Sequence, residues 1–106
     1  MTYEVVLEDS ALEDLANISF YEMRYAESVD EACLRADHII DDIVYELSTL
    51  PERFAERAYG FTDALRRLCP AGKYVAFYWI DEESGTVQVE RVVYAKSDFN
   101  RIHFGN

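Results

Sequence analysis

Two adjacent arginines, Arg66 and Arg67, are the most conspicuous chemistry-bearing pair in this chain. They lie in Ala64–Cys69, a stretch that reads as a short strand, so they should project to opposite faces of a sheet. One is expected to meet a partner and the other to cross the sheet surface; Tyr78, two strands' length further on, is grouped with them as a partner contact. His38 precedes Asp42 by four residues on a helical stretch that also carries Asp37 and Asp41. That spacing puts the two on one helix face, but two ligands do not make a site, so no metal is expected. Cys33 and Cys69 are far apart and match neither a zinc nor a redox spacing. They read as small apolar residues held as reduced thiols. The chain has no glycine loop that could cradle phosphate and no Ser-His-Asp order, and nothing in it calls for a cofactor.

Charge divides the chain in two. Residues 1–52 hold 14 acids against 2 bases, net −12, and residues 53–106 hold 7 acids against 8 bases, net +1; the whole carries −11. An acidic first half repels phosphate backbones at long range and attracts basic partners. Half of the residues are hydrophobic, which argues against disorder, and no apolar run nears the roughly 20 residues of a bilayer span. The start, Met1-Thr2-Tyr3-Glu4-Val5, lacks a basic run followed by an apolar one, so no signal peptide, no membrane association and a cytoplasmic location are expected.

The elements follow from periodicity. Tyr3, Val5 and Leu7 alternate with Glu4, Val6 and Glu8, the pattern of a half-buried strand. Ser10-Ala-Leu-Glu13 reads as a capping box opening a helix from about Ala11 to Ala26. Ser28-Val-Asp-Glu31 reads as a second one, followed by Ala32, Ala36, Ile39, Ile43, Leu47 and Leu50 at helical spacing up to Pro51. So short a connection makes the helices an antiparallel hairpin. Residues 52–63 read as a loop or a short helical turn. Tyr74–Ile80 and Thr86–Tyr94 form a hairpin about the turn Asp81-Glu-Glu-Ser-Gly85, with Val87, Val89 and Val93 on one face. The expectation is a single α+β domain over 1–106, ordered β-α-α-β-β-β, with the two-helix hairpin packed on a small, mostly antiparallel sheet.

Several segments in this order resemble the RelE/ParE superfamily of toxins. Tyr3-Glu-Val-Val-Leu with Ala11-Leu-Glu-Asp-Leu15 and Tyr21 looks like its opening strand and first helix. Ile39, Ile43, Leu47 and Leu50-Pro51 resemble its second helix and stop. Leu65-Arg-Arg-Leu68, Lys73-Tyr-Val-Ala-Phe-Tyr78-Trp-Ile-Asp81-Glu and Arg91-Val-Val-Tyr94-Ala-Lys-Ser-Asp98 resemble the strands that follow. The resemblance covers nearly the whole chain. It implies the toxin of a type II toxin–antitoxin pair, a group sometimes called plasmid stabilisation proteins, which inhibits growth until a cognate antitoxin neutralises it. The acidity of this chain predicts a basic toxin-binding segment on that antitoxin.

Family members either inhibit DNA gyrase by contact or cut mRNA on the ribosome. Metal-independent RNA cleavage needs a base, an acid and cations for the charged phosphorane. The position of the family's first strand arginine falls on Val75, which can do no phosphate chemistry. Its histidine falls on Tyr94; a tyrosine, with a reference pKa of about 10, donates a proton but is a poor base. The arginine pair that follows falls on Lys96-Ser97, leaving one charge and no bidentate fork. Arg91, Arg101 and His103 complete the candidate catalytic set with Tyr94 and Lys96. This favours the gyrase-type, contact-acting reading over the ribonuclease; a non-toxic relative that only binds antitoxin is the third, and a homodimer is compatible with each.

Overall fold

The computed structural model describes residues 3–59, 65–102 and 104. The elements are β1 (Glu4–Leu7), α1 (Asp9–Glu22), α2 (Val29–Leu47), β2 (Glu56–Ala58), β3 (Leu65–Ala71), β4 (Tyr74–Asp81) and β5 (Thr86–Tyr94), with 3-10 turns at Pro51–Arg53 and Phe99–Arg101. The five strands form one sheet in the order β1-β5-β4-β3-β2. Only the β1–β5 pair is parallel; the others are antiparallel. The start of β3 expected at Ala64 lies outside the described residues.

The second capping box forms: the Glu31 amide donates to Ser28 Oγ at 3.1 Å, and the Glu31 carboxylate accepts from the Glu27 amide at 2.7 Å. The first does not. α1 starts two residues earlier, with Glu8 at its N-cap, and the Ser10 hydroxyl donates instead to the Glu90 carbonyl at 2.6 Å. α1 also stops at Glu22, short of Ala26, because the amides of Arg24 and Tyr25 bond back three residues, to Tyr21 and Glu22. Such tight bonds close a helix end. α2 ends at Leu47 rather than running to Leu50: the Ser48 carbonyl is drawn to the Tyr3 amide at 2.7 Å, and Leu50 already has the non-helical backbone that a following proline demands. The hairpin is antiparallel, since the end of α2 is tied to β1 while the end of α1 meets Arg35 near the start of α2.

Alternation sends β4 to two cores. Tyr74, Ala76 and Tyr78 face the helices, packed with Leu15, Ile18, Ile43, Leu47, Val87 and Val89. Val75 and Phe77 face the other way, under Tyr59, Phe99, Ile102 and Phe104. The expectation that Val93 shares a face with Val87 and Val89 fails, because β5 carries a bulge. Tyr78 pairs with Val89 but Phe77 with Arg91, so Glu90 is an extra residue. An inserted residue reverses the alternation: Val92 joins the helix-side core and Val93 packs on the opposite face.

The buried Cys69 thiol is pushed up to about 11 by burial, while Cys33 is exposed on α2. Thiolate and access both govern reactivity. A disulfide-exchange reagent at pH 8 should therefore label one thiol rapidly in the native protein, the second only on unfolding, and the fast phase should vanish in Cys33→Ser.

Candidate functional site

Glu90, set out of register by the bulge, turns its carboxylate to the sheet face opposite the helices. There the Arg66 Nε donates to it at 2.6 Å, both side chains being about nine-tenths buried. Arg66 also donates to the Leu65 carbonyl, and its guanidinium lies 5.8 Å from the Phe104 ring. The tail thus roofs the pair: Phe77 is ringed by Tyr59, Phe99 and Phe104 at 4.8, 5.2 and 5.3 Å between centroids.

Arg67 points the other way, as alternation requires. It donates to the carbonyls of Glu52 (2.9 Å) and Phe54 and pairs with Glu56. Tyr78, opposite it on β4, is fully buried, and its hydroxyl donates to the Pro51 carbonyl. Burial raises the Tyr78 pKa and keeps that hydroxyl protonated. Arg67 and Tyr78 therefore clamp the segment after α2, and Tyr78 offers no surface to a partner.

Arg91 stands at the open half of the β5 edge. β1 pairs only with Thr86–Val89, and past it α1 supplies what a strand would. The Asp14 carboxylate accepts from the Val92 amide at 2.9 Å and from Arg91 at 2.8 and 3.0 Å. An edge covered in this way no longer templates strand addition. Tyr94 ends β5, half-exposed, beside Tyr74. Lys96 follows in the turn closed by the Ser97 amide on the Tyr94 carbonyl, and Arg101 pairs with Asp98 at the surface. His103 lies outside the described residues. The fold thus brings Arg66 to Glu90 and Arg91 to Asp14, but among the described residues it assembles no acid–base pair around Tyr94. No group of three metal-ligating side chains occurs among the described residues, and no described helix is long and apolar enough to cross a membrane.

A further charged centre lies at the end of α1. Glu22, buried at the end of α1, accepts from the Tyr74 hydroxyl (3.0 Å), Lys73 (2.9 Å) and Arg35 (3.2 Å). Lys73 in turn lies over the rings of Tyr21, Tyr25 and Tyr74. The only sequence signal was an acid at a position on the core face of α1, in step with Ala11, Leu15 and Ile18. Burial pushes the Glu22 pKa up, but the three donors outweigh it and hold the carboxyl below its ordinary range. A depressed folded value means that the stabilisation is fully present above the unfolded value of about 4.3 and is lost as pH falls through the folded one. Because Lys73 and Arg35 are partly solvated, Glu22→Gln should cost only about 1–2 kcal/mol at pH 7. Urea titrations of both proteins from pH 7 to 3 should show that difference shrink towards acid.

No protein-family model and no curated protein sequence matches the chain. Solved structures do. A chain of the RelBE2 toxin–antitoxin complex from Mycobacterium tuberculosis superposes with a TM-score of 0.58 at 21% identity, over 89% of this chain and 99% of that one. A chain of the chromosomal ParDE toxin–antitoxin system from P. aeruginosa superposes with a TM-score of 0.69 at 14% identity, over 89% and 97%. The helical hairpin, the mostly antiparallel sheet and these superpositions together give this chain the α+β fold of the RelE/ParE toxins.

Proposed function

We propose that this protein is the toxin of a type II toxin–antitoxin pair and acts by protein contact, as a gyrase inhibitor would, rather than by cutting RNA. The observation that carries this reading is the commitment of its arginines. Arg66 is neutralised by Glu90, Arg91 by Asp14, and the position where the ribonuclease branch would place a strand arginine is the buried Val75. A phosphorane needs uncommitted cations and a base within hydrogen-bond reach. A ribonuclease would have to draw on Arg91, Tyr94, Lys96, Arg101 and His103, of which Arg91 and Arg101 already hold carboxylates.

The partner that silences it is a cognate antitoxin with a basic toxin-binding segment. The exposed faces of α1 and α2 support this, for they interleave Asp9, Glu13, Asp37, Asp41 and Asp42 with exposed Phe20, Leu34 and Tyr45. Aromatic and aliphatic anchors within a charged rim suit a complementary amphipathic segment. Expression alone should arrest growth, and co-expression with the adjacent small reading frame should restore it. Absence of arrest at high expression would instead support an inert, antitoxin-binding relative.

A further inference from the structure

β1, β5 and β4 present one row of side chains to the face opposite the helices. Val6 pairs with Gln88, and Gln88 with Trp79. Their neighbours Val5, Leu7, Val87, Val89, Tyr78 and Ile80 all belong to the helix-side core, so alternation turns these three the other way. The tail packs on Val75 and Phe77, further along that face, and Trp79 stays 36% exposed. The indole Nε1 donates to the Glu8 carboxylate at 3.0 Å. Glu8 follows β1, and β5 lies between β1 and β4, so the ring leans across the sheet.

The charge around the ring is of one sign. From Met1 to Met23 and from Tyr74 to Glu90 the chain has no lysine or arginine. The Glu4 amide donates to the Gly85 carbonyl at 3.4 Å, which sets β1 beside the acidic turn Asp81–Gly85. Glu4, Glu8, Glu82 and Glu83 hold no ion pair among the described residues. The cations of the adjoining strands do not answer them: Arg66 is held by Glu90, and Arg57 stands two strands from Trp79, on β2. An aromatic face among carboxylates suits a planar cation, which stacks on the ring while its N–H groups meet the carboxylates. Acids alone would take any cation; the indole is what selects arginine over lysine. We propose that Trp79, with Glu4 and Glu8, anchors an arginine of a basic peptide segment from a partner protein. One stacked cation adds only about two- to thirtyfold in affinity, so the segment carries several. Identifying that partner with the antitoxin rests on the reading above; the anchor adds a contact on the sheet face, away from the helical hairpin.

Trp79 is the only tryptophan in the chain, so tryptophan emission reports this position alone. Titration of the full-length protein with hexa-arginine and hexa-lysine amides at low ionic strength tests the anchor. The two peptides carry equal charge, so the acidic surface attracts both. Hexa-arginine should change the emission saturably and bind about fivefold more tightly than hexa-lysine, as one guanidinium–indole stack implies. Trp79→Leu, followed by calorimetry, should bring hexa-arginine down to the affinity of hexa-lysine and leave hexa-lysine nearly unchanged. Glu4→Gln, at an exposed strand position, should weaken both peptides. Equal affinity of the native protein for the two peptides, unchanged emission, or an arginine preference that survives Trp79→Leu would overturn the proposal. Growth arrest is scored separately: a chain that arrests nothing yet prefers hexa-arginine through Trp79 refutes the toxin reading and upholds the anchor.

Discussion

Arg66→Ala should lower the unfolding free energy by about 3–5 kcal/mol, because it leaves the Glu90 carboxylate buried without its cation. That is a large part of the roughly 5–15 kcal/mol that holds a domain together. The side chains of Arg66 and Glu90 are 10% and 6% exposed, so water cannot replace the missing partner. The same reasoning predicts that Glu90→Ala is comparably damaging and that the apolar double replacement, Arg66→Met with Glu90→Leu, recovers most of the loss. Urea denaturation of the three variants measures this directly. A cost for Arg66→Ala below about 1 kcal/mol, the range of a solvated surface pair, would mean that the tail does not cover the pair.

Phe77→Ala should be as severe, at about 3–5 kcal/mol, and for a different reason. Phe77 is fully buried and is the hub of the second core, where Tyr59, Phe99 and Phe104 converge. Its removal deletes apolar burial and opens a cavity. Among the described residues beyond Ser97, the tail makes only local backbone hydrogen bonds, Arg101 to Asp98 and Ile102 to Phe99, so side-chain packing is what docks it. In Phe77→Ala the tail should come loose before the domain unfolds, and trypsin should cut after the exposed Arg101 well ahead of other sites. Unchanged cleavage at Arg101 would show that the ring does not anchor the tail.

What the chain disclosed in advance depended on the range of the interaction. Ser28 and Glu31 form their capping box because every partner lies within four residues. Ser10 carries the same motif and loses it to a carbonyl 80 residues away. The turn at Asp81–Gly85 was legible, since Asp81 accepts from Glu83 and Ser84 and Gly85 takes a φ of 68°. The bulge at Glu90 was not, because Val87, Val89 and Val93 keep an apparent period of two while the backbone inserts a residue. β2 reads as loop in the sequence because Glu56, Arg57 and Ala58 show no alternation of polar and apolar residues; in the sheet all three are exposed. At the candidate site, adjacency alone set Arg66 and Arg67 on opposite faces. Their partners, Glu90 and the carbonyls after α2, are fixed by strand register, which local pattern does not encode.

The most direct test of a contact-acting toxin is to express the chain in a bacterial host, with Tyr94→Phe and Lys96→Ala variants beside it, and to map mRNA ends by primer extension during growth arrest. The expected result is arrest by all three proteins with intact mRNA and with gyrase-trapped DNA breaks. Codon-phased mRNA cuts that disappear in the two variants would contradict it and make Tyr94 and Lys96 members of a ribonuclease site.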